Sequence, residues 1–454
     1  MTTWATLDDV LIGKKKSEKV QQGWSPQCDR QPAEPDHWGV LKTTAIQAGK
    51  FLDHENKNLP ATLQPRPHLE VKAGDILMTC AGPRGRCGVP TYVRATREKN
   101  ILSGKMYRFR PKPDLMDPRF LELYLLSPDA QRVIDGMKTG ISDSGLNLTK
   151  DRFLGLKVPV FPLPEQQRIV EVLEDYISRL DAGVDYLDAA ERRLGSLRRA
   201  LLNDAFFPAR QGEHDATASP ADSPEGWRTV ALPEVAAIQG GIQKQAKRHP
   251  VLNKFPFLRV ANVTSTGLDL TEVHQVELFE GEIDKYRLCK GDLLVVEGNG
   301  SPDQIGRAAV WDGSIPDAVH QNHLIRVRPL DEIDPRYLGL VWNSPKVREY
   351  LSRVSSSSNG LHTLSVRKLR QVMIPLAPFA DQQRIVATTE GRLSQFDLQA
   401  QHIAIARRRA ASLRRSLLAA AFSGRLTGSA SDAERIEEIA AETIETEAPE
   451  GVLF

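Results

Sequence analysis

The chain has 454 residues, 60 Lys+Arg against 58 Asp+Glu, four cysteines and 41% hydrophobic residues, a composition that predicts two or three soluble domains with chain enough to bury cores. No apolar run approaches the ~18 residues of a membrane span, and residues 1–16 hold no apolar leader core, so a cytoplasmic protein without a membrane partner is expected. Cys28, Cys80, Cys87 and Cys289 are too few and too irregular for a disulfide scaffold. The net charge of +2 averages unlike parts: from Leu426 onward eight acids and one base give −7, leaving +9 on residues 1–425. That body is basic enough to suit a polyanion.

Residues 1–162 are short β-branched or aromatic runs broken by Gly and Pro, such as Tyr107–Arg110 and Val158–Phe161, with a helical pattern at Pro118–Leu126. This mixture predicts a compact α+β domain. Residues 163–206 differ: there is no Pro after Pro164, and Leu recurs at 173, 180, 187, 194 and 201. Seven-residue spacing keeps one stripe on a partner helix. Ile177, Val184, Ala190 and Leu197 are the weaker positions between, so the seam should be short and imperfect. Pro164 suits a first helical turn, and Glu165 there favours the positive end of the dipole. Such a helix is ~65 Å long at 1.5 Å per residue.

Residues 207–224, rich in Pro, Ala, Ser, Asp and Gly, read as a flexible linker. A second α+β domain is expected over 225–377, with strands near Phe257–Val260, Leu293–Val296 and Leu324–Val327 and a helix near Pro335–Asn343. A second long helix, 378–425, offers Leu393, Phe396, Ile403, Ala406, Ala410, Leu413 and Leu417 along one face, and an acidic tail occupies 426–454.

The chain repeats itself. Leu163-Pro164-Glu165-Gln166-Gln167-Arg168-Ile169-Val170 returns 216 residues later as Phe379-Ala380-Asp381-Gln382-Gln383-Arg384-Ile385-Val386, and Ser196-Leu197-Arg198-Arg199 returns as Ser412-Leu413-Arg414-Arg415. Gly74-Asp75-Ile76-Leu77 answers Gly291-Asp292-Leu293-Leu294, and Pro118-Arg119-Phe120-Leu121 answers Pro335-Arg336-Tyr337-Leu338, both at 217. A repeat of this kind decides the architecture. The expected fold is α+β: two similar globular domains separated by two long antiparallel helices, an intramolecular coiled coil with a pseudo-two-fold internal repeat.

Chemistry is hard to find. There is no phosphate-loop motif and no Asn/Asp-Pro-Pro-Tyr sequence of amino-methyltransferases. Cys80 and Cys87 lack a nearby His pair and read as ordinary small residues. Asp292 and Glu297 resemble a nuclease pair only superficially, since Asn299 stands where a Lys is needed; Asp292 is expected to be structural. His320 and His323 read as surface polar groups. A chain without catalytic, cofactor or metal residues is expected.

What remains is recognition. The copies diverge in loops carrying Lys14, Lys15, Lys16, Arg84, Arg86, Arg97 and Lys99 in the first, and Gln243, Lys244, Gln245, Lys247, Arg248, Asn299, Ser301, Gln304, Arg307, His320, Gln321, Asn322 and His323 in the second. Arg, Asn and Gln can contact base edges, while Lys mostly supplies charge against phosphate. The competing reading is an architectural coiled-coil adaptor with protein-binding ends.

These residues carry a resemblance. The openings at 163–170 and 379–386, the Ser-Leu-Arg-Arg sequences, Phe257-Leu258-Arg259-Val260-Ala261-Asn262-Val263 and Glu297-Gly298-Asn299-Gly300-Ser301 are similar to the specificity subunits of type I restriction-modification systems. The resemblance implies two target recognition domains, each reading half of a split site in double-stranded DNA. It implies docking of two methyltransferase subunits, which bring S-adenosylmethionine. Two restriction/translocase subunits, using ATP and magnesium, would join where restriction occurs. The Met78–Gly85 loop lacks the Glu-Gly-Asn-Gly-Ser sequence, so contact residues carry over less well to the first domain.

Overall fold

The computed structural model describes residues 3–207, 225–264, 267–299, 304–355, 357–358, 361–426 and 432–446. The chain divides into two compact units, one of residues 1–187 with 404–454, the other of residues 188–403. The long helices, Leu163–Phe206 and Phe379–Phe422, each contribute to both.

In the first unit Thr3–Thr6 pairs antiparallel with Lys157–Val160. A four-stranded antiparallel sheet runs in the order Gln21–Gln22, Met106–Phe109, Ile76–Thr79, Pro90–Tyr92. A three-stranded sheet runs Asn100–Ile101, Gly39–Leu41, Asn56–Asn58, its first pair parallel. The second unit repeats each piece. Arg228–Ala231 pairs with Met373–Leu376. The four-stranded order is Ala236–Gln239, Leu324–Pro329, Leu293–Val296, Ala308–Val310, and the three-stranded order is His274–Glu277, Lys254–Leu258, Val319–His320, again with one parallel pair. Gly23 and Gly241 sit at equivalent crossings, where a Cβ would collide with the carbonyls of Leu102 and Ser103 or of His320 and Gln321. Only glycine lets the chain approach a neighbouring backbone this closely.

The repeated Asp and Arg residues are structural in both units. Asp75 is buried and accepts from Arg110 Nε at 2.6 Å. Asp292 is buried and takes both Nε and Nη2 of Arg328 at 2.7 Å, with the Cys289 N–H also at 2.7 Å. Arg108 and Arg326 each bridge loop carbonyls: Glu70 and His68 in one case, Lys285 and Arg287 in the other. A buried carboxylate is tolerated because its oxygens are charge-paired and hydrogen-bonded.

The long helices pair antiparallel within each unit. In the first, Arg168 Nη2 reaches the Leu426 carbonyl at 2.8 Å and Arg414 Nη1 reaches Asp181 Oδ1 at 2.6 Å. In the second, Arg198 pairs with Asp397, the same two positions in repeat register. The end of each long helix docks on the globular domain that leads into the other: Phe422 meets Phe120 edge-on at 5.3 Å in the first unit, and Phe206 meets Tyr337 at 5.2 Å in the second. Leu173 and Leu417 are fully buried in the first unit, and Leu393 and Leu202 are buried in the second. Leu180 and Leu413 pack partly buried on the first core, Leu201 and Phe396 on the second. Leu187, Leu194 and Ile403 are only half-buried and Leu197 is 48% exposed. The seam is well covered only where a globular core adds a third surface.

Residues 432–446 of the acidic tail form a helix, Asp432–Thr446. Ile436 and Ile439 enter the first unit's core beside Leu417, Leu418 and Leu426, Arg425 pairs with Glu442 at 2.9 Å, and Thr443 Oγ1 bonds Ser416 Oγ at 3.1 Å. Glu434, Glu437, Glu438 and Glu442 are exposed opposite Ile436 and Ile439, an amphipathic pattern obscured in the sequence by the charge of the whole tail. Among the described residues no helix is long and apolar enough to cross a membrane.

Candidate nucleic-acid interface

Most of the first unit's basic candidates are engaged internally. Arg84 is held in a fork by Asp135 at 2.7 Å and Asp143 at 3.0 Å. Arg86 reaches the Ile46 carbonyl and Gln47 Oε1, both at 3.3 Å. Arg97 staples the carbonyls of Ala33, Glu34 and His37, and Lys99 that of Asp36. Lys14, Lys15 and Lys16 are exposed on a turn whose Lys14 and Lys15 N–H groups bond Glu18; Lys16 pairs with Asp151 at 2.6 Å. Of the Met78–Gly85 loop, Met78, Thr79 and Cys80 are buried while Pro83, Arg84 and Gly85 are exposed; Cys87, just beyond it, is buried, and burial pushes the Cys80 thiol up to about 12. Among the described residues no group of three His, Cys, Asp or Glu could hold a metal ion.

In the second unit Gln243, Lys244, Gln245 and Lys247 are exposed together, with Gln245 Nε2 on Gln243 Oε1 at 3.3 Å. Arg248 is turned inward: it takes both oxygens of Glu282 at 2.7 and 2.8 Å and lies 4.7 Å above the Phe279 ring. That pairing with Arg248 holds the Glu282 carboxyl down at about 2. Arg307 bonds the Val263 carbonyl at 2.7 Å, the Val260 carbonyl at 3.0 Å and Gln304 Oε1. Arg248 and Arg307 thus shape loops rather than offering free forks.

Gln321 and Asn322 are half-buried at the parallel crossing, their N–H groups donating to Leu258 and Ile242 carbonyls at 2.9 Å. Asn299 lies in the short strand Gly298–Asn299, which pairs with Leu361–Thr363; Ser301 lies outside the described residues. His323 is exposed, 3.4 Å from Glu297, whose carboxyl is raised by burial.

The surface reading of His320 is wrong. Its side chain is 0% exposed, Nδ1 bonds the Leu324 carbonyl at 2.7 Å, and Nε2 has no partner among the described residues. Desolvation lowers its pKa to about 4, so the ring is neutral. The repeat held the signal, because Leu102, a core residue, stands in the matching place.

A cleft of about 590 Å³ opens beside the exposed cluster, lined by Lys244, Gln245, Ala246, Arg248, His249, Pro250, Phe257, Arg259, His274, Gln275 and Val276. At its rim Glu272 holds His274 Nε2 at 2.7 Å and Arg259 at 3.4 Å. Arg259, His274 and Gln275 were not among the sequence candidates, because only the pairing of Lys254–Leu258 with His274–Glu277 brings them to the loop that holds Lys244 and Lys247. The lining combines buried Phe257 and Val276 with exposed Lys244 and with Arg248 and Arg259, each arginine paired with a carboxylate.

The family model for the type I restriction modification DNA specificity domain matches residues 51–184 and again 224–405. The chain belongs to this family. The family match falls twice, once in each repeat. Among relatives, the type I restriction enzyme EcoEI specificity subunit of Escherichia coli is 34% identical over 204 residues, 45% of this chain and 33% of that protein. This chain thus matches one third of the EcoEI subunit's length. The StySPI specificity subunit of Salmonella potsdam is 24% identical over 396 residues, covering 86% of this chain and 83% of that one. A solved chain, from work on complex assembly and conformational transition of a type I restriction-modification system, superposes with a TM-score of 0.67 at 20% identity. It covers 93% of this chain and 97% of its own, so the two chains share a fold.

Proposed function

We propose that this specificity-family chain is the DNA-reading subunit of a type I restriction-modification complex. It recognises a two-part duplex site and directs partner methyltransferase subunits, and restriction subunits where present, to it. The observation that carries this reading is the duplication: one family match in each of two units with the same strand order. In this reading residues 1–162 and 225–377 are the two recognition domains, one per half-site. Residues 163–206 and 378–425 are the helices on which two methyltransferase subunits dock, 207–224 is a linker and 426–454 an acidic appendage. S-adenosylmethionine belongs to the methyltransferase partners, ATP and magnesium to the restriction partners, and the complex works in the cytoplasm.

The chain supplies recognition and leaves bond-making to its partners. Exposed cations such as Lys244 give sequence-independent, salt-sensitive affinity through phosphates. A few side chains per domain select bases. A moderate +9 over residues 1–425 gives weak binding by this chain alone and tight binding once partner subunits enclose the duplex. The test is to express the chain with its methyltransferase partners and map adenine methylation. Methylation at one split sequence supports the reading. Unselective methylation, or none without loss of complex assembly, favours the architectural adaptor.

A further inference from the structure

Among the described residues of the second unit, the most exposed aliphatic side chains sit together. Val251 and Leu252 are 64% and 85% exposed, on the turn between Ala246–Arg248 and Lys254–Leu258. The turn is rigidly built. The Glu277 carboxylate accepts the N–H groups of Val251 at 2.7 Å, Leu252 at 3.0 Å and Asn253 at 2.8 Å, and those bonds hold it below the usual carboxylate range. On one flank Arg248 is fixed by Glu282 and the Phe279 ring. At the foot of the turn His249 and Pro250 line the cleft with Lys244 and Arg259. The 218-residue offset that relates Gly23 to Gly241 puts Ala33 and Glu34 at the matching places, so the apolar pair belongs to one repeat alone.

Two branched side chains held out in water cost free energy, and cations stand beside them. Duplex DNA supplies a surface complementary to both: phosphates for the cations and, in the major groove, the thymine 5-methyl group, the apolar feature that distinguishes A·T pairs there. Resting on the reading of the chain as a DNA-recognition subunit, we propose that Leu252, with Val251, packs on thymine methyl groups in the second half-site and is a specificity-determining residue, with Lys244 on an adjoining phosphate. Glu277 is the positioning residue that holds the turn.

The test uses the complete complex with its methyltransferase partners and duplexes carrying its mapped site. Each thymine of the second half-site is replaced singly by deoxyuridine, which deletes only the methyl group, and Kd is measured for the parent and for Leu252→Ala. The expected result is a five- to twenty-fold loss at one or two thymines for the parent, no further loss at those positions for L252A, and unchanged affinity of L252A for an unrelated duplex. Leu252 is largely solvent-exposed, so the variant keeps its thermal midpoint. The proposal is overturned if no thymine is sensitive, if the half-site contains no A·T pair, or if L252A weakens related and unrelated duplexes alike. It is equally overturned if L252A weakens only assembly with the methyltransferase subunits. A parent complex with no sequence preference overturns the proposed function itself, a distinct outcome.

Discussion

Gln166 Oε1 accepts the backbone N–H of Asp117 at 2.8 Å, and Gln382 does the same for Asp334 at 2.8 Å, so the repeated Gln-Gln-Arg sequence has a structural purpose. Each glutamine is fully buried at the start of a long helix and donates twice more: Gln166 to the Leu115 and Phe161 carbonyls, Gln382 to those of Glu332 and Ala377. The aspartates in turn cap the short helices Pro118–Leu126 and Pro335–Trp342. One amide side chain thus ties a long helix to its globular domain.

Replacing either glutamine by leucine leaves a buried N–H and two carbonyls without their partner. At about 1–3 kcal/mol for a stranded buried polar group, Gln382→Leu is expected to destabilise the second unit by about 3 kcal/mol. Urea unfolding checks this; a loss under about 1 kcal/mol contradicts the role.

His320 makes the second unit acid-sensitive. Its folded pKa of about 4 lies below the ordinary 6.5, so the unfolded chain takes up the proton first as pH falls. Its contribution is fully present above pH ~6.5 and fades between there and about 4, a change of about 3 kcal/mol. His320→Leu, which copies Leu102 of the first repeat, should flatten the stability profile over that window. An unchanged slope in urea midpoints against pH would count against it.

Along the paired helices, burial outranks charge. Leu417→Ala and Leu173→Ala remove fully buried side chains and are expected to cost about 2–5 kcal/mol each. Arg414→Ala breaks a pair whose Asp181 is largely exposed, and should cost under about 1 kcal/mol. Leu187→Ala, at a half-buried position, should fall well below Leu173→Ala despite equal standing in the seven-residue pattern. Denaturation of each variant ranks them, and equal losses for Leu173 and Leu187 contradict the account.

Two basic residues of one loop should behave differently. Lys244→Ala is expected to weaken binding to every duplex and reduce the salt slope by about 1, as loss of one phosphate contact does. Arg248→Ala should instead act through stability, because its guanidinium is committed to Glu282 and Phe279. Salt titrations of DNA affinity beside thermal melts separate the two. A reduced salt slope for Arg248→Ala with unchanged melting would reverse the assignment.

The duplication was legible because it survives as spaced, identical words, and the antiparallel pairing followed from it. Strand Leu293–Val296 and the helices beginning at Pro118 and Pro335 also lie where periodicity put them. Side-chain commitments were not legible. Arg84, Arg97, Arg248 and Arg307 look alike in sequence to unpaired arginines, and only the fold shows the carboxylates and carbonyls packed against them. His320 misled because a histidine beside Gln321, Asn322 and His323 reads as polar surface, whereas its strand pairs within the sheet. Glu277 and the turn it caps were hidden because the acceptor lies some 25 residues from its donors in the chain.

The central claim is that each repeat reads its own half of a split DNA site. Replacing residues 225–375 with the corresponding segment of another specificity subunit, then mapping adenine methylation in a host that supplies the methyltransferase partners, tests it most directly. The account predicts a new sequence in one half-site, with the other half unchanged. A change in both half-sites, or in neither while methylation persists, would contradict it.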